Sequence, residues 1–286
     1  MVFKDLKALN FKKIFKRTEM RKGKAKSALK TASLILMSAL LIISLLAAFN
    51  INPAAAEDLT GEEIMTRVDE NQFMASARTE SEMIIIDRDR EIKKEMISYV
   101  RSDGDVTEGL AEFTNPRDRG TKYLLLDDEL WMYFPDAEEL TRISGHMLEQ
   151  GMMGSDFSYQ DAMEMEQLTE LYEFELEEED TFNERPVYVI KATALEGEDV
   201  AYHSRRLWVD QERFVILLEE MYARDGRLLK KMETEKVEEV EEGRWMPTEM
   251  VMEDMLREDT ETIYRLTEIE LDYDIPEGKL TLEELE

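Results

Sequence analysis

Gly151-Met152-Met153-Gly154-Ser155-Asp156-Phe157-Ser158-Tyr159-Gln160-Asp161 interrupts a chain that otherwise reads as strand after strand, and the reading of that interruption decides the fold. Before it, strand-like segments recur at 80–86, 92–100, 107–114, 121–126, 130–134 and 139–144, joined by polar turns such as Asp87-Arg88-Asp89-Arg90 and Ser102-Asp103-Gly104-Asp105. After it come 187–192, 206–210, 214–222, 228–237, 244–255 and 260–271, with Asp225-Gly226 as a strong hairpin signal. Short turns between adjacent strands predict an antiparallel meander, which must close or be covered to protect its edges. The interrupting segment, 145–170, mixes apolar residues with three glycines, and Ser155-Asp156 is placed to cap a short helix running to Glu166. It is either a lid or plug over one mouth of the sheet or an ordinary crossover connection.

A second helix is expected at the start of the domain. Thr60 followed by Glu63 is a capping-box pattern, and Leu59, Ile64 and Val68 fall near one helical face. The acidic runs Glu177-Glu178-Glu179-Asp180 and Glu238-Glu239-Val240-Glu241-Glu242 read as solvated turns between strands. No linker is evident in 57–286, so one domain is expected there.

The first thirty residues hold eleven Lys or Arg against Asp5 and Glu19, and residues 31–56 carry no charge. A basic n-region, an apolar core from Leu34 to Phe49, and Ala54-Ala55-Ala56 before Glu57 form a signal peptide with a cleavage site. An uncleaved anchor is the alternative, because 32–49 approaches the roughly 20 apolar residues of a membrane span. Either way the basic flank places 57–286 outside the cytoplasm, in the periplasm or on the outer face of the cell membrane. There is no cysteine, which excludes lipidation at a lipobox, disulfides and thiolate ligands.

The whole chain carries −30, and removing the n-region's net +9 leaves −39 on residues 57–286. Nucleic acid and anionic headgroups would be repelled by such a domain. The charge serves as a solubilising shell or steers the domain toward a basic partner.

No catalytic, metal or cofactor signature stands out. Asp127-Asp128-Glu129 and Glu164 with Glu166 are close in sequence, but among so many acids such pairs arise by chance. Asp127 and Asp128 lack the spacing and turn glycine of an EF-hand. His146 and His203 show no metal-binding spacing, and Gly154-Ser155-Asp156 is not a nucleophile elbow. Methionine is abundant instead, 19 in the chain. Its unbranched, adaptable side chain either fills cores or lines sites for ligands of irregular apolar shape, such as acyl chains.

Several stretches together resemble the outer-membrane lipoprotein-sorting family of LolA-like carriers. They are Asn115-Pro116-Arg117-Asp118-Arg119-Gly120-Thr121, Leu130-Trp131-Met132-Tyr133-Phe134-Pro135, Arg142-Ile143-Ser144-Gly145, Met153-Gly154-Ser155-Asp156-Phe157-Ser158-Tyr159 and Gly243-Arg244-Trp245-Met246-Pro247-Thr248. The resemblance implies a mainly β fold with covering helices, a strongly curved antiparallel sheet forming a half-open β-barrel with a helical lid. It also implies a non-enzymatic carrier, without cofactor or metal, that shields the acyl chains of lipids or lipoproteins. A membrane transporter or lipid acceptor and transient membrane association are the expected partners, and nucleic acid is not one. Candidate cavity and lid residues are Trp131, Tyr133, Phe134, Met147, Met152, Met153, Phe157 and Trp208. An RseB-like sensor that binds a partner protein is the alternative.

Overall fold

A computed structural model describes residues 59–103, 106–164 and 168–285. The expected export segment lies outside the described residues. Residues from Leu59 onward form one compact unit.

Thr60 caps helix α1 (Gly61–Gln72) through the anticipated capping box: its hydroxyl accepts from the Glu63 amide, and the Glu63 carboxylate accepts from the Thr60 amide at 2.8 Å. Strands β1 (Ser76–Asp87), β2 (Arg90–Ser102), β3 (Thr107–Phe113), β4 (Lys122–Leu126), β5 (Glu129–Phe134) and β6 (Glu139–Ile143) follow in hairpin succession. Helices α2 (Tyr159–Glu164) and α3 (Leu168–Leu171) sit in the interruption. The chain then makes β7 (Tyr172–Phe182), β8 (Arg185–Ala194), β9 (Ser204–Asp210), β10 (Ile216–Tyr222), β11 (Leu228–Glu241), β12 (Arg244–Asp254) and β13 (Thr260–Leu271).

All thirteen strands form one open antiparallel sheet in the order β6-β5-β4-β3-β2-β1-β13-β12-β11-β10-β9-β8-β7. Two meanders are therefore joined where β1 pairs with β13, and the chain's midpoint connects the two opposite edges, β6 and β7. A connection between opposite edges has to cross a face of the sheet. The interruption is thus a crossover by topology, and in crossing it covers the inner, concave face.

The two acidic runs are not turns. Glu177 to Asp180 lie within edge strand β7, and Glu238 to Glu241 complete β11. The sequence reading followed the weak β-propensity of Glu, which strand context readily overrides. The real β7–β8 turn is Asn183-Glu184, both at positive φ, and Asp127-Asp128 plays the same part between β4 and β5.

Alternation sorts the side chains onto two faces. On β1, Ala77, Thr79, Ser81, Met83 and Ile85 are all buried, with residues of intermediate exposure between them. Ile64, Met65 and Val68 of α1 pack on Tyr172, Phe174, Ile190 and Leu207, covering the inner face near β7–β9. On the opposite, outer face the C-terminal residues Ile275, Leu280 and Leu285 cover Leu110, Leu124, Trp131, Tyr133 and Leu140.

Candidate functional site

The inner face between β2–β4 and β12–β13 is left partly uncovered and forms an apolar cavity of about 320 Å³. That is at the lower end of the range for small-molecule pockets. Met83 and Met96 come from β1 and β2, Phe113 and Tyr123 from β3 and β4, and Met246, Met250 and Tyr264 from β12 and β13. The crossover contributes Met152, Phe157 and Met163. Gln72 and Met74 at the end of α1, with Thr107 at the start of β3, line the same cavity. No lining residue is charged.

Strand parity explains where the sequence-predicted residues fall. Met152 and Phe157 line the cavity. Met147 and Met153 pack beside Met152 against the cluster containing Met83, Phe113, Tyr123 and Met132. Trp131 and Tyr133 pair opposite Leu124 and Lys122, so they point away from Leu130 and Met132 and lie on the outer face beneath the C-terminal residues. Phe134 ends β5 exposed to solvent. Trp208 lies outside too, against Val187, Val189 and Leu217, with Arg206 over its ring at 5.0 Å. These four are not cavity residues. A one-residue change of register exchanges the faces of a strand, and an aromatic-rich strand with both faces covered hides its register from the sequence. The missed lining residues, Met83, Met96, Met246, Met250 and Tyr264, were legible only as strand residues with an alternation.

The crossover is pinned by polar anchors. Asp156 accepts from Thr262 Oγ1 at 2.7 Å, Thr260 Oγ1 at 3.0 Å and Arg257 at 2.9 Å, and its amide donates back to Thr262 Oγ1 at 2.9 Å. Asp156 is therefore an anchor on β13, and the expected helix cap falls to Ser158, whose hydroxyl accepts from the Asp161 amide at 3.1 Å. The Asp161 carboxylate accepts from the Ser158 amide at 2.7 Å, from Tyr202 at 2.6 Å and from the Lys230 ammonium at 2.6 Å. Burial alone would raise its pKa, but Lys230 and these hydrogen bonds hold it below the usual carboxylate range. Glu164 accepts from the Ala201 amide at 2.7 Å and pairs with Arg205, which also pairs with Glu219 at 2.6 Å. Arg205 stacks between the rings of Tyr172 and Tyr202, 4.9 Å from each centroid. Burial dominates at Glu164 and raises its pKa despite Arg205.

At the other end of β3 from Thr107, the Asn115 to Thr121 stretch forms the β3–β4 turn. Asp118 takes the buried Lys94 ammonium at 2.7 Å and the Asn115 amide at 2.6 Å. Burial raises and these two partners lower the Asp118 pKa, with a net depression. This motif serves structure by closing the end of the sheet around an otherwise unpaired Lys94.

The arrangement offers apolar volume without a charged lining residue. Among the described residues no cluster of three or more His, Cys, Asp or Glu is placed to hold a metal.

A family model described as "Uncharacterized protein" matches residues 105–286. No curated protein matches the chain. Among solved structures, a DUF1329 family protein from Desulfovibrio piger superposes with a TM-score of 0.74 at 24% identity, covering 79% of this chain and 98% of that one. A domain described as an outer membrane lipoprotein-sorting protein from Vibrio parahaemolyticus gives 0.71 at 24% identity, covering 79% and 97%. A LolA superfamily protein from Nitrosomonas europaea gives 0.66 at 23%, covering 79% and 99%. At these identities the likeness concerns the fold. The chain belongs to the family matched over residues 105–286, and its curved, unclosed antiparallel sheet is the LolA-like fold of the lipoprotein-sorting proteins.

Proposed function

We propose that the domain is a non-enzymatic, extracytoplasmic carrier that shields an acyl chain of a lipid or lipoprotein in the inner-face cavity and passes it to an acceptor. The observation that carries this reading is the charge-free, methionine-rich cavity inside a domain that carries −39 over residues 57–286. Water in such a space gains few hydrogen bonds, whereas a polymethylene chain can follow its irregular walls. Each buried CH₂ contributes about 0.8 kcal/mol, so about ten methylenes would gain on the order of 8 kcal/mol before any cost of opening. The basic, then apolar N-terminus supports export, and the −39 domain would stay soluble between membranes.

Residues 145–154 are the gate in this account. They cover the cavity by apolar contacts, while 155–164 is fastened by Asp156, Asp161 and Glu164. Release then requires a partner that displaces the methionine-bearing half, because tight burial alone would retain the cargo.

Native mass spectrometry of the exported protein purified from a membrane-containing host tests the proposal, with lipid extraction of any adduct. A stoichiometric acyl-lipid adduct is the expected result. A domain that arrives empty and takes up no fluorescent fatty-acyl probe would overturn it and favour a protein-binding role.

A further inference from the structure

The two-residue hairpin tips Arg88-Asp89, Asp127-Asp128, Asn183-Glu184 and Glu242-Gly243 are polar, as turns usually are. The turn between β12 and β13 departs from this. Met255 and Leu256 hold the two central positions of a β-turn in which the Arg257 amide donates to the Asp254 carbonyl at 3.0 Å. The Asp254 carboxylate accepts from the Leu256 amide at 2.9 Å, so Asp254 makes the turn and its centre has no need of apolar side chains. Met255 is 46% exposed and Leu256 59%, the latter the most exposed large hydrophobic residue among those described. Neighbouring apolar residues that break the local turn chemistry and gain no packing mark an interaction site.

Two other turns stand beside this one. The Arg88 amide donates to the Asp259 carbonyl at 2.8 Å, and the Met255 amide to the Leu229 carbonyl at 2.8 Å. The β1–β2, β12–β13 and β10–β11 turns therefore line up at one end of the sheet. Exposed Arg88, Arg90, Arg224 and Arg227 flank the apolar pair, and none is in an ion pair among the described residues. Exposed Asp89, Asp225, Glu258 and Asp259 are interleaved with them, and Asp87, Glu91 and Glu261 follow along the strands. The end is thus of mixed sign, in a domain that elsewhere is strongly acidic. Arg257, in the same turn, pairs with buried Asp156 of the crossover at 2.9 Å.

We propose that this end of the sheet is a docking surface for a zwitterionic phospholipid bilayer. Met255 and Leu256 enter the interfacial layer, the arginines meet lipid phosphates and the acids meet the headgroup cations. A convex turn buries far less than the roughly 800 Å² per partner of a stable protein interface, whereas a fluid bilayer moulds itself around two side chains. The −39 on residues 57–286 and the acids of these turns disfavour a strongly anionic surface. Through Arg257 and Asp156, docking brings one anchor of the crossover to the membrane side. The inference is independent of what the cavity holds.

A Leu256→Trp variant of the exported protein tests this with vesicles of phosphatidylcholine brominated in its acyl chains. Emission of the introduced indole, taken as the difference from the parent protein, should shift to the blue and be quenched by the bromines. Adding Met255→Asp should weaken this response at least about tenfold, because an apolar group is lost and a charge replaces it. Mixing in phosphatidylglycerol should also weaken it, and salt should restore it by screening. An indole that is not quenched, or equal quenching with and without Met255→Asp, would overturn the proposal. A blue shift that needs no vesicles and grows with protein concentration would overturn it in favour of contact between two copies of the chain.

Discussion

At the scale of single residues, the crossover depends on positions where one atom decides. A Cβ on Gly151 would lie 2.1 Å from the Ser155 carbonyl oxygen, across the loop that brings Gly151 and Ser158 into a β-bridge. Gly151→Ala is expected to cost about 1–3 kcal/mol through overpacking, read as a lower thermal unfolding midpoint. Asp161 makes the sharper case. Its folded pKa is depressed, so the stability it contributes is present above its unfolded value and is lost as pH falls through the folded one. Glu164, with its raised pKa, works in the opposite sense, since the folded state favours its neutral form as acid is added. Asp161→Asn strands Lys230, whose side chain is 13% exposed, and should cost about 3–5 kcal/mol near neutral pH. In urea titrations the gap between the variant and the parent protein should narrow below about pH 4. A gap independent of pH would mean that Asp161 is not ionised in the folded protein. The glycines and acids of this segment were visible in the sequence, but their partners on β9, β11 and β13 lie 41 to 106 residues away and carry no local signature.

At the scale of elements, what the sequence revealed followed what its local chemistry controls. The capping box at Thr60 and the Asp-Gly hairpin at 225–226 act within a few residues and announced themselves. Strand β7 did not, because its exposed face is a run of glutamates that resembles a turn. Its position supplies the reason. An edge strand with unpaired backbone groups is guarded against pairing with another chain by charged side chains. Replacing Glu173, Glu175 and Glu177 by Thr should leave the monomer folded yet promote concentration-dependent association, measurable by light scattering; an unchanged monomer would remove this role. Register was the other hidden quantity. Trp131, Tyr133 and Trp208 were legible as strand aromatics, but both faces of those strands are covered, so the pattern of apolar residues did not tell inside from outside. Among the crossover methionines the gate account singles out Met152. Met152→Asp would bring a charge into the cavity lining and should weaken acyl-probe binding at least tenfold with little change in circular dichroism.

At the scale of the whole molecule, the topology accounts for the cavity. Thirteen strands in one open sheet leave two edges, and the connection between them has to span the inner face. That connection, with α1, roofs most of the face, and the remaining gap is the cavity. The same sequence keeps charge out of the lining while carrying a large excess of acids elsewhere, so solubility and lipid shelter coexist in one domain. Saturable binding of a fluorescent acyl probe, compared between the parent protein and Ala111→Trp, tests this most directly, because Ala111 lines the cavity and a tryptophan there would occupy its volume. The account predicts saturable binding by the parent and at least a tenfold loss in a variant that remains folded. Equal binding by the two proteins, or none by the parent, would contradict it.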